Sequence, residues 1–316
     1  MVSLRYSILI CLCALAINCF AQTAKPAFRL VPLGVLGGGD ESNLSSYMLA
    51  PVGSNSYICL DAGTLRYGIE RAVANKVFNK NAEQVLKQNI KAYLISHGHL
   101  DHLAGMVINA PDDTTKNIYA LGSTIETLKT KYFTWQSWAN FADEGEAPAL
   151  KKYHYKVVDP GNEVAIENTE LAVRAFPLAH ANLTSTAFLV RSGENYLLYL
   201  GDVGPDAIEK SDKLHQLWEA VAPLIRSKKL KAIMIEVSFP NEQPDKTLFG
   251  HLTPKWLMAE MGELSKMSGS LKGLNVVVTH LKPPASSINK IKGQLKANNA
   301  IGVNLIFPQQ SKALTF

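Results

Sequence analysis

The stretch Lys91-Ala92-Tyr93-Leu94-Ile95-Ser96-His97-Gly98-His99-Leu100-Asp101-His102 decides how the rest of the chain is read. Lys91 to Ser96 is a short apolar run of the kind that forms a buried strand. It stops abruptly on His97, and four metal-competent side chains (His97, His99, Asp101 and His102) follow within six residues. In an extended segment residues two apart point the same way, so His97, His99 and Asp101 can converge. Asp101 and His102 diverge once the chain turns into a helix, which makes room for two ions rather than one. Gly98 removes a side chain that would crowd the first. One histidine at a strand end is usually a packing or surface residue; four ligands at this spacing point to a metal.

Moving outward, the same pattern recurs. Leu171 to Phe176 leads to His180, Tyr196 to Leu200 reaches Gly201-Asp202, Lys231 to Ile235 ends at Glu236, and Asn275 to Val278 passes Thr279 to His280. Two earlier strands are expected at 28–36 and 55–60, joined by the turn Gly37-Gly38-Gly39. Helical spacing fills 65–89, 206–227 and 254–267, the last opened by Thr253-Pro254, a good cap and first-turn pair. Strands alternating with helices indicate α/β architecture. No repeat or break in composition divides the chain, so one domain is expected. The segment 120–156 fits least well, with Tyr132, Phe133, Trp135 and Trp138 in one helix-like stretch. His180, Asp202 and His280 each follow a strand and belong to one sheet edge, where ligands converge on a crevice.

The 316 residues are 47% hydrophobic and 19% charged, proportions that exclude a disordered, collagen-like or multi-span membrane protein. The formal charge of +5 is spread along the chain, with no basic run to suggest nucleic acid or a membrane patch. Residues 1–21 read as an export signal: Arg5, an apolar run from Ile8 to Ile17, and Cys19-Phe20-Ala21 before the cut. That run rises about 15 Å as a helix, half of a roughly 30 Å hydrocarbon core, so stable membrane insertion is not expected. Acylation at Cys19 is disfavoured by Asn18 before it. The mature chain, 22–316, then keeps only Cys59 and has neither a disulfide nor a cysteine pair for structural zinc. A periplasmic or secreted protein follows.

The order His-x-His-x-Asp-His, lone His, Gly-Asp and Thr-His resembles the metallo-β-lactamase superfamily. Within it, His97-Gly-His-Leu-Asp-His-Leu-Ala-Gly, Glu236-Val-Ser-Phe-Pro-Asn241 and Gly250-His-Leu-Thr-Pro254 resemble the class II cyclic-nucleotide phosphodiesterases, across residues 31 to 284. Ala110 stands where that family's motif usually carries Ser. The resemblance implies a four-layer αββα sandwich with a two-metal site at one edge. It implies that His97, His99 and His180 bind one divalent ion and Asp101, His102 and His280 the other. Asp202 would bridge them, and zinc would be the metal. Two cations about 3.5–4 Å apart can acidify a shared water and clamp a phosphate. Asp101 would orient the nucleophile. Glu236 would hold His251 charged and turned so that it protonates the leaving group. Asp61 resembles the superfamily's buried carboxylate that supports the ligands.

Substrate contacts are less defined. Phe239, or Trp135 and Trp138 on a lid over 120–156, would stack on a base, with Asn241 and Thr253 as polar contacts. The loop Gly37–Asn43 either brings backbone N–H groups to a phosphate or is a simple turn. His154 and His215 read as surface residues. The expected activity is hydrolysis of 3′,5′-cyclic nucleotides to 5′-nucleotides, with no nucleic-acid partner. A different phosphodiester, a lactam or a thioester is the rival within the enzyme class. Asp202 argues against a β-lactamase, and Glu236 with His251 against a thioester hydrolase, whose thiolate leaves without an acid. A non-catalytic nucleotide binder would be expected to lack ligands, and all seven are present.

Overall fold

The computed structural model describes residues 25–316; the expected export segment 1–21, with Cys19, lies outside them. An antiparallel meander, β1 (Phe28–Gly34), β2 (Ser46–Pro51) and β3 (Tyr57–Ala62), starts the first sheet. Helices α1 (Arg66–Ala74) and α2 (Ala82–Gln84) cross to β4 (Ile90–Leu94), α3 (Leu100–Asn109) to β5 (Lys116–Ala120), and α4 (Gly122–Thr127) precedes β6 (Tyr153–Val157). From β3 to β6 the pairing is parallel.

The second sheet opens with β7 (Glu163–Ala165), β8 (Ala172–His180), β9 (Leu183–Ser192) and β10 (Asn195–Leu200), all antiparallel. Helices α5 (Asp206–Glu209) and α6 (Lys213–Arg226) lead to β11 (Leu230–Glu236), α7 (Pro254–Ser268) to β12 (Asn275–Thr279) and α8 (Ala285–Ala297) to β13 (Asn304–Ile306), now in parallel. The chain then returns to the first sheet, where β14 (Leu314–Thr315) pairs with β1. The strand orders are β14-β1-β2-β3-β4-β5-β6 and β13-β12-β11-β10-β9-β8-β7.

Period-two alternation turns these sheets into four layers. In β4, Ala92 and Leu94 face the sister sheet beside Phe188, Tyr199 and Met234, while Tyr93 packs outward with Leu103 and Met106 of α3. In β11, Ala232 and Met234 face inward, and Ile233 and Ile235 meet Leu217, Trp218 and Leu257 of α6 and α7. Each such large side chain taken fully out of water contributes roughly 1.5–3 kcal/mol before entropy is counted. The expected αββα sandwich in one unit is therefore the observed one.

Two local expectations fail. Strands at 28–36 and 55–60 are not neighbours in sequence, because β2 lies between them. Its six residues are buried throughout, so they offer no alternation to read. The aromatic stretch after Tyr132 is not helical: Trp135 sits at φ 58° and the chain turns until β6.

Sheet direction positions the site. β4, β10, β11 and β12 run the same way within their sheets, and β8, two antiparallel steps from β10, runs with it. Their C-terminal ends therefore fall on one edge, the common place for ligands in open α/β sheets.

Candidate active site

His97 follows β4 by three residues, and His99 is the residue before α3, still extended at φ −76° and ψ 146°. Asp101 and His102 occupy the first turn of α3, where the helix dipole favours an acid. His180 ends β8, Asp202 lies two residues past β10, and His280 follows β12 at φ 56°. The ligand atoms form two groups that match the expected sets, His97/His99/His180/Asp202 and Asp101/His102/His280, and a third, Asp202/His251/His280, overlaps them; the atoms of each group lie within 4.8 Å of one another. Asp202 stands between the first two. Its Oδ2 lies 3.8 Å from the Nε2 atoms of His97 and His180 and 3.3 Å from that of His280, and its Oδ1 is 3.3 Å from His102 Nε2.

Hydrogen bonds on the far side of each ring set these contacts. His102 Nδ1 donates to Asp61 Oδ2 at 2.7 Å, and His180 Nδ1 to the Gly250 carbonyl at 2.7 Å. His97 Nδ1 donates to Ser96 Oγ at 3.0 Å, and His280 Nδ1 to Ser238 Oγ at 2.9 Å. With Nδ1 protonated, each Nε2 presents a lone pair to the centre. The Nε2 atoms of His97 and His102 are buried and have no hydrogen-bond partner among the described residues. Orphaned imidazole lone pairs converging with two carboxylates fit divalent cations of borderline character, so the residues suit the metals that the sequence implied.

The electrostatics follow from burial and neighbours. Burial, reinforced by His102, holds His97 well below the usual imidazole range, and burial lowers His180 to about 4. His102 goes the other way: burial opposes its charge, but the Asp202 and Asp61 carboxylates outweigh it. Burial alone would raise Asp202 and Asp101. The charges of His102 and His280, with the His280 hydrogen bond to Asp101, instead keep both ionised.

Asp61, at the end of β3 and fully buried, accepts four hydrogen bonds. Besides His102 they come from Ser96 N–H and Oγ, both at 2.7 Å, and from Tyr199 Oη at 2.5 Å. Through the His102 bond it fixes the orientation of that ring. Glu236, also fully buried, accepts from His251 Nδ1 at 2.6 Å, Val203 N–H at 3.1 Å and Ser238 Oγ at 2.7 Å. It thereby fixes His251 and the backbone beside Asp202 together. Against the cost of burial, the Glu236 carboxylate pulls His251 above the ordinary imidazole value, and the Lys282 charge opposes that pull.

A sequence profile of the family described as cAMP phosphodiesterases class-II matches residues 81–311. The chain belongs to that family. A 3′,5′-cyclic-nucleotide phosphodiesterase of Aliivibrio fischeri is 40% identical over 307 residues, covering 92% of this chain and 93% of that protein. A probable 3′,5′-cyclic-nucleotide phosphodiesterase of Yersinia pestis is 37% identical over 96% of this chain and 93% of its own. The crystal structure of unliganded yeast PDE1 superimposes with a TM-score of 0.82 at 23% identity, covering 92% of this chain and 100% of that one. The metallo-β-lactamase fold protein YhfI from Bacillus subtilis gives 0.61 at 17% identity, covering 92% and 100%. These two likenesses show the fold. As a class II phosphodiesterase, the chain is a hydrolase of phosphodiester bonds.

In this phosphodiesterase the expected substrate contacts fare unevenly. Phe239 packs edge-on to His251 with ring centroids 5.7 Å apart, but Lys282 Nζ lies over its ring at 5.1 Å. Thr253 is buried and its hydroxyl caps α7 by accepting from Trp256 N–H, and Asn241 Oδ1 accepts from Lys255 N–H. Both residues hold the start of α7 through these bonds. In 120–156, Phe133 is core, Trp135 and Trp138 are exposed, and Tyr132 Oη donates to the Gly98 carbonyl at 2.6 Å. The segment buttresses the His97–His99 turn rather than standing off it as a hinged cover. Gly98 is required by the same contact, since a Cβ there would overlap Thr127 of α4, not a metal.

The Gly37–Gly39 loop is nearer the chemistry than a plain turn. Leu36 bridges Leu281, Gly38 N–H donates to Asp101 Oδ2 at 3.0 Å, and a Cβ on Gly37 would run into the His280 ring. Its N–H thus serves a ligand rather than a phosphate. His154 pairs with Asp143 at 3.0 Å, and His215 is exposed near Glu219. Ser96, Tyr199, Ser238 and Lys282 were not singled out from sequence. A lone Ser, Tyr or Lys carries no spacing signal, although Ser96 and Ser238 each adjoin a residue that did. Leu100, Leu183 and Phe249, next to ligands or to Gly250, leave apolar surface exposed at the same edge.

Proposed function

We propose that the protein hydrolyses 3′,5′-cyclic nucleotides to 5′-nucleotides by attack of water at phosphorus and departure of the 3′-oxygen. When bound, two divalent ions, zinc in our reading, would be held by His97, His99 and His180 and by Asp101, His102 and His280, with Asp202 shared, and would supply water activation and neutralisation of phosphate charge. The observation that carries the reading is the buried Glu236–His251 pair, 2.6 Å apart beside both ligand groups. An alkoxide leaves poorly unless it is protonated, and Glu236 keeps a proton available on His251. His251 Nε2 is the donor atom, since Nδ1 is committed to Glu236. Asp101, held as a carboxylate, accepts a hydrogen bond from the attacking water and turns its lone pair toward phosphorus. The family of the chain and the names of its relatives support the substrate class.

In the same reading residues 1–21 direct export and are removed, so the enzyme works in the periplasm or outside the cell. The mass of the mature N-terminus and fractionation of expressing cells test that part.

The central test is turnover of cyclic AMP and cyclic GMP before and after chelation, with elemental analysis of the purified enzyme. Chelator-sensitive release of the 5′-nucleotide is expected, abolished in Asp202→Ala and lowered about 10²–10⁴-fold in kcat by His251→Ala. Full metal content with no turnover of either nucleotide would sink the reading and leave the fold untouched.

A further inference from the structure

Lys282 lies two residues past the last histidine ligand, and its setting is built. Its backbone leaves β12 through Leu281, which bridges Leu36 and accepts from Gly37 N–H, and enters α8 through Pro283 and Pro284. Its Nζ is 2.9 Å from His251 Nε2 and 5.1 Å from the centre of the Phe239 ring. Phe239, edge-on to His251, closes the other side of the pair. The side chain is half-buried, and among the described residues it forms no salt bridge.

An ammonium has three donors and no acceptor, so once Nε2 carries the proton that His251 is to give, none of the three can bond to it and all must find an oxygen elsewhere. A half-buried cation without a carboxylate beside it wants an anionic oxygen. The proposed mechanism brings one to this place. Whatever atom takes the proton from Nε2 must come within about 3 Å of it, at hydrogen-bond length. The two nitrogens are themselves 2.9 Å apart, so an oxygen set astride them can accept from both.

We infer that Lys282 is a catalytic residue that donates a second hydrogen bond to the departing 3′-oxygen, alongside the proton from His251. This deepens the proposed function and rests on its assignment of His251. In the step, water forms the new P–O bond and the P–O3′ bond breaks with its electron pair staying on oxygen. His251 gives O3′ a proton, the proton lost by water passes to solvent, and His251 is recharged from solvent. Lys282 transfers nothing; its charge meets negative charge that grows on O3′ only as the bond breaks. Such a donor acts on the transition state more than on the bound substrate, so it is felt in kcat rather than KM.

The experiment compares Lys282→Ala, Lys282→Gln and Lys282→Arg with wild type on cyclic AMP and on bis(4-nitrophenyl) phosphate, whose nitrophenolate leaves unaided. Metal content and Tm are measured for each. Removing one such donor from developing oxyanion charge typically costs about 10²–10³ in kcat. A loss of that size is expected on cyclic AMP for the Ala and Gln variants, with KM within about threefold. On the nitrophenyl ester the loss should stay below about fivefold, and Lys282→Arg should recover much of the cyclic AMP rate.

Equal losses on both substrates would overturn the inference, since Lys282 would then clamp a non-leaving phosphoryl oxygen. A change confined to KM, no change at all, or loss of bound metal from both neutral variants would overturn it as well. His251→Ala on the same two substrates separates the underlying reading. If it shows no leaving-group dependence, the proton-donor assignment falls. If it does and Lys282→Ala does not, only the inference about Lys282 falls.

Discussion

At the scale of single residues, each ligand's role is set by the atom it turns away from the centre. Asp61, Gly250, Ser96 and Ser238 each take an Nδ1–H, so the Nε2 atoms of His102, His180, His97 and His280 are committed to the centre, while His99 brings its Nδ1 to 3.3 Å from His180 Nε2. His251 uses the same device for another end: Glu236 takes its Nδ1–H and at the same time favours its charged form. The sign of the pH effect follows. An acid must be protonated to act, so activity falls as pH rises through the His251 pKa, and Glu236 moves that fall to higher pH. Glu236→Gln keeps the shape and removes the charge. The alkaline limb of the kcat profile should therefore shift to lower pH by about one unit or more. A profile that keeps its alkaline limb would show that some other group sets it. The ligands were legible because each ends a strand-like run. Ser238 and Lys282 were not, since their work depends on which ring packs beside them, and that is decided only in three dimensions.

Among elements, the loop between β1 and β2 shows how little backbone freedom the site allows. Gly38 and Gly39 adopt φ of 50° and 76°, a region costly for residues with a Cβ. Gly37 is ordinary in φ but has no room, because the His280 ring fills the space. Gly37→Ala is expected to push His280 off its line with Asp101 and Asp202 and to lower metal affinity about 10–100-fold, the scale seen when ligand orientation is disturbed. Tm of the metal-free protein should stay nearly constant. Elemental analysis after dialysis against a metal buffer, with a melting curve of the stripped protein, checks both halves. Unchanged affinity would mean that the loop yields instead of the ring. Sequence reading left this loop open between a phosphate cradle and a turn, because a glycine run states what the backbone can do and not what it lies against. The work that Thr253 and Asn241 do at the start of α7 was hidden for a related reason: a polar residue near a motif and a helix cap look alike until the N–H groups there are located.

For the whole molecule, the two sheets contribute separately. The first supplies His97, His99, Asp101 and His102, and the second His180, Asp202 and His280, so each of the two expected groups draws on both sheets. A cation in either group joins the halves, and binding to the folded chain alone adds about 4 kcal/mol of stability at a thousandfold excess over Kd. Stripping the metal should lower Tm by roughly 10 °C, and restoring it should reverse the change. Identical melting curves for stripped and loaded protein would deny that the ions link the sheets. The architecture itself was readable at this scale because buried parallel strands announce themselves as apolar runs. β2, β5, β6, β7, β9, β13 and β14 were not among the expected strands; β2 is buried on both faces and offers no alternation, and β7, β13 and β14 have only two or three residues.

β14 has one more implication. The strand that borders β1 is drawn from residues almost 300 positions later, and Ser311, Gln310 and Phe316 tie that segment to Gly68, Leu33 and Phe28. Until the last residues arrive the first meander therefore waits with a bare edge. An unpaired edge is an invitation to the wrong neighbour. The chain is most exposed to self-association in the interval before its final strand arrives, and that interval lengthens with every residue placed between β1 and β14.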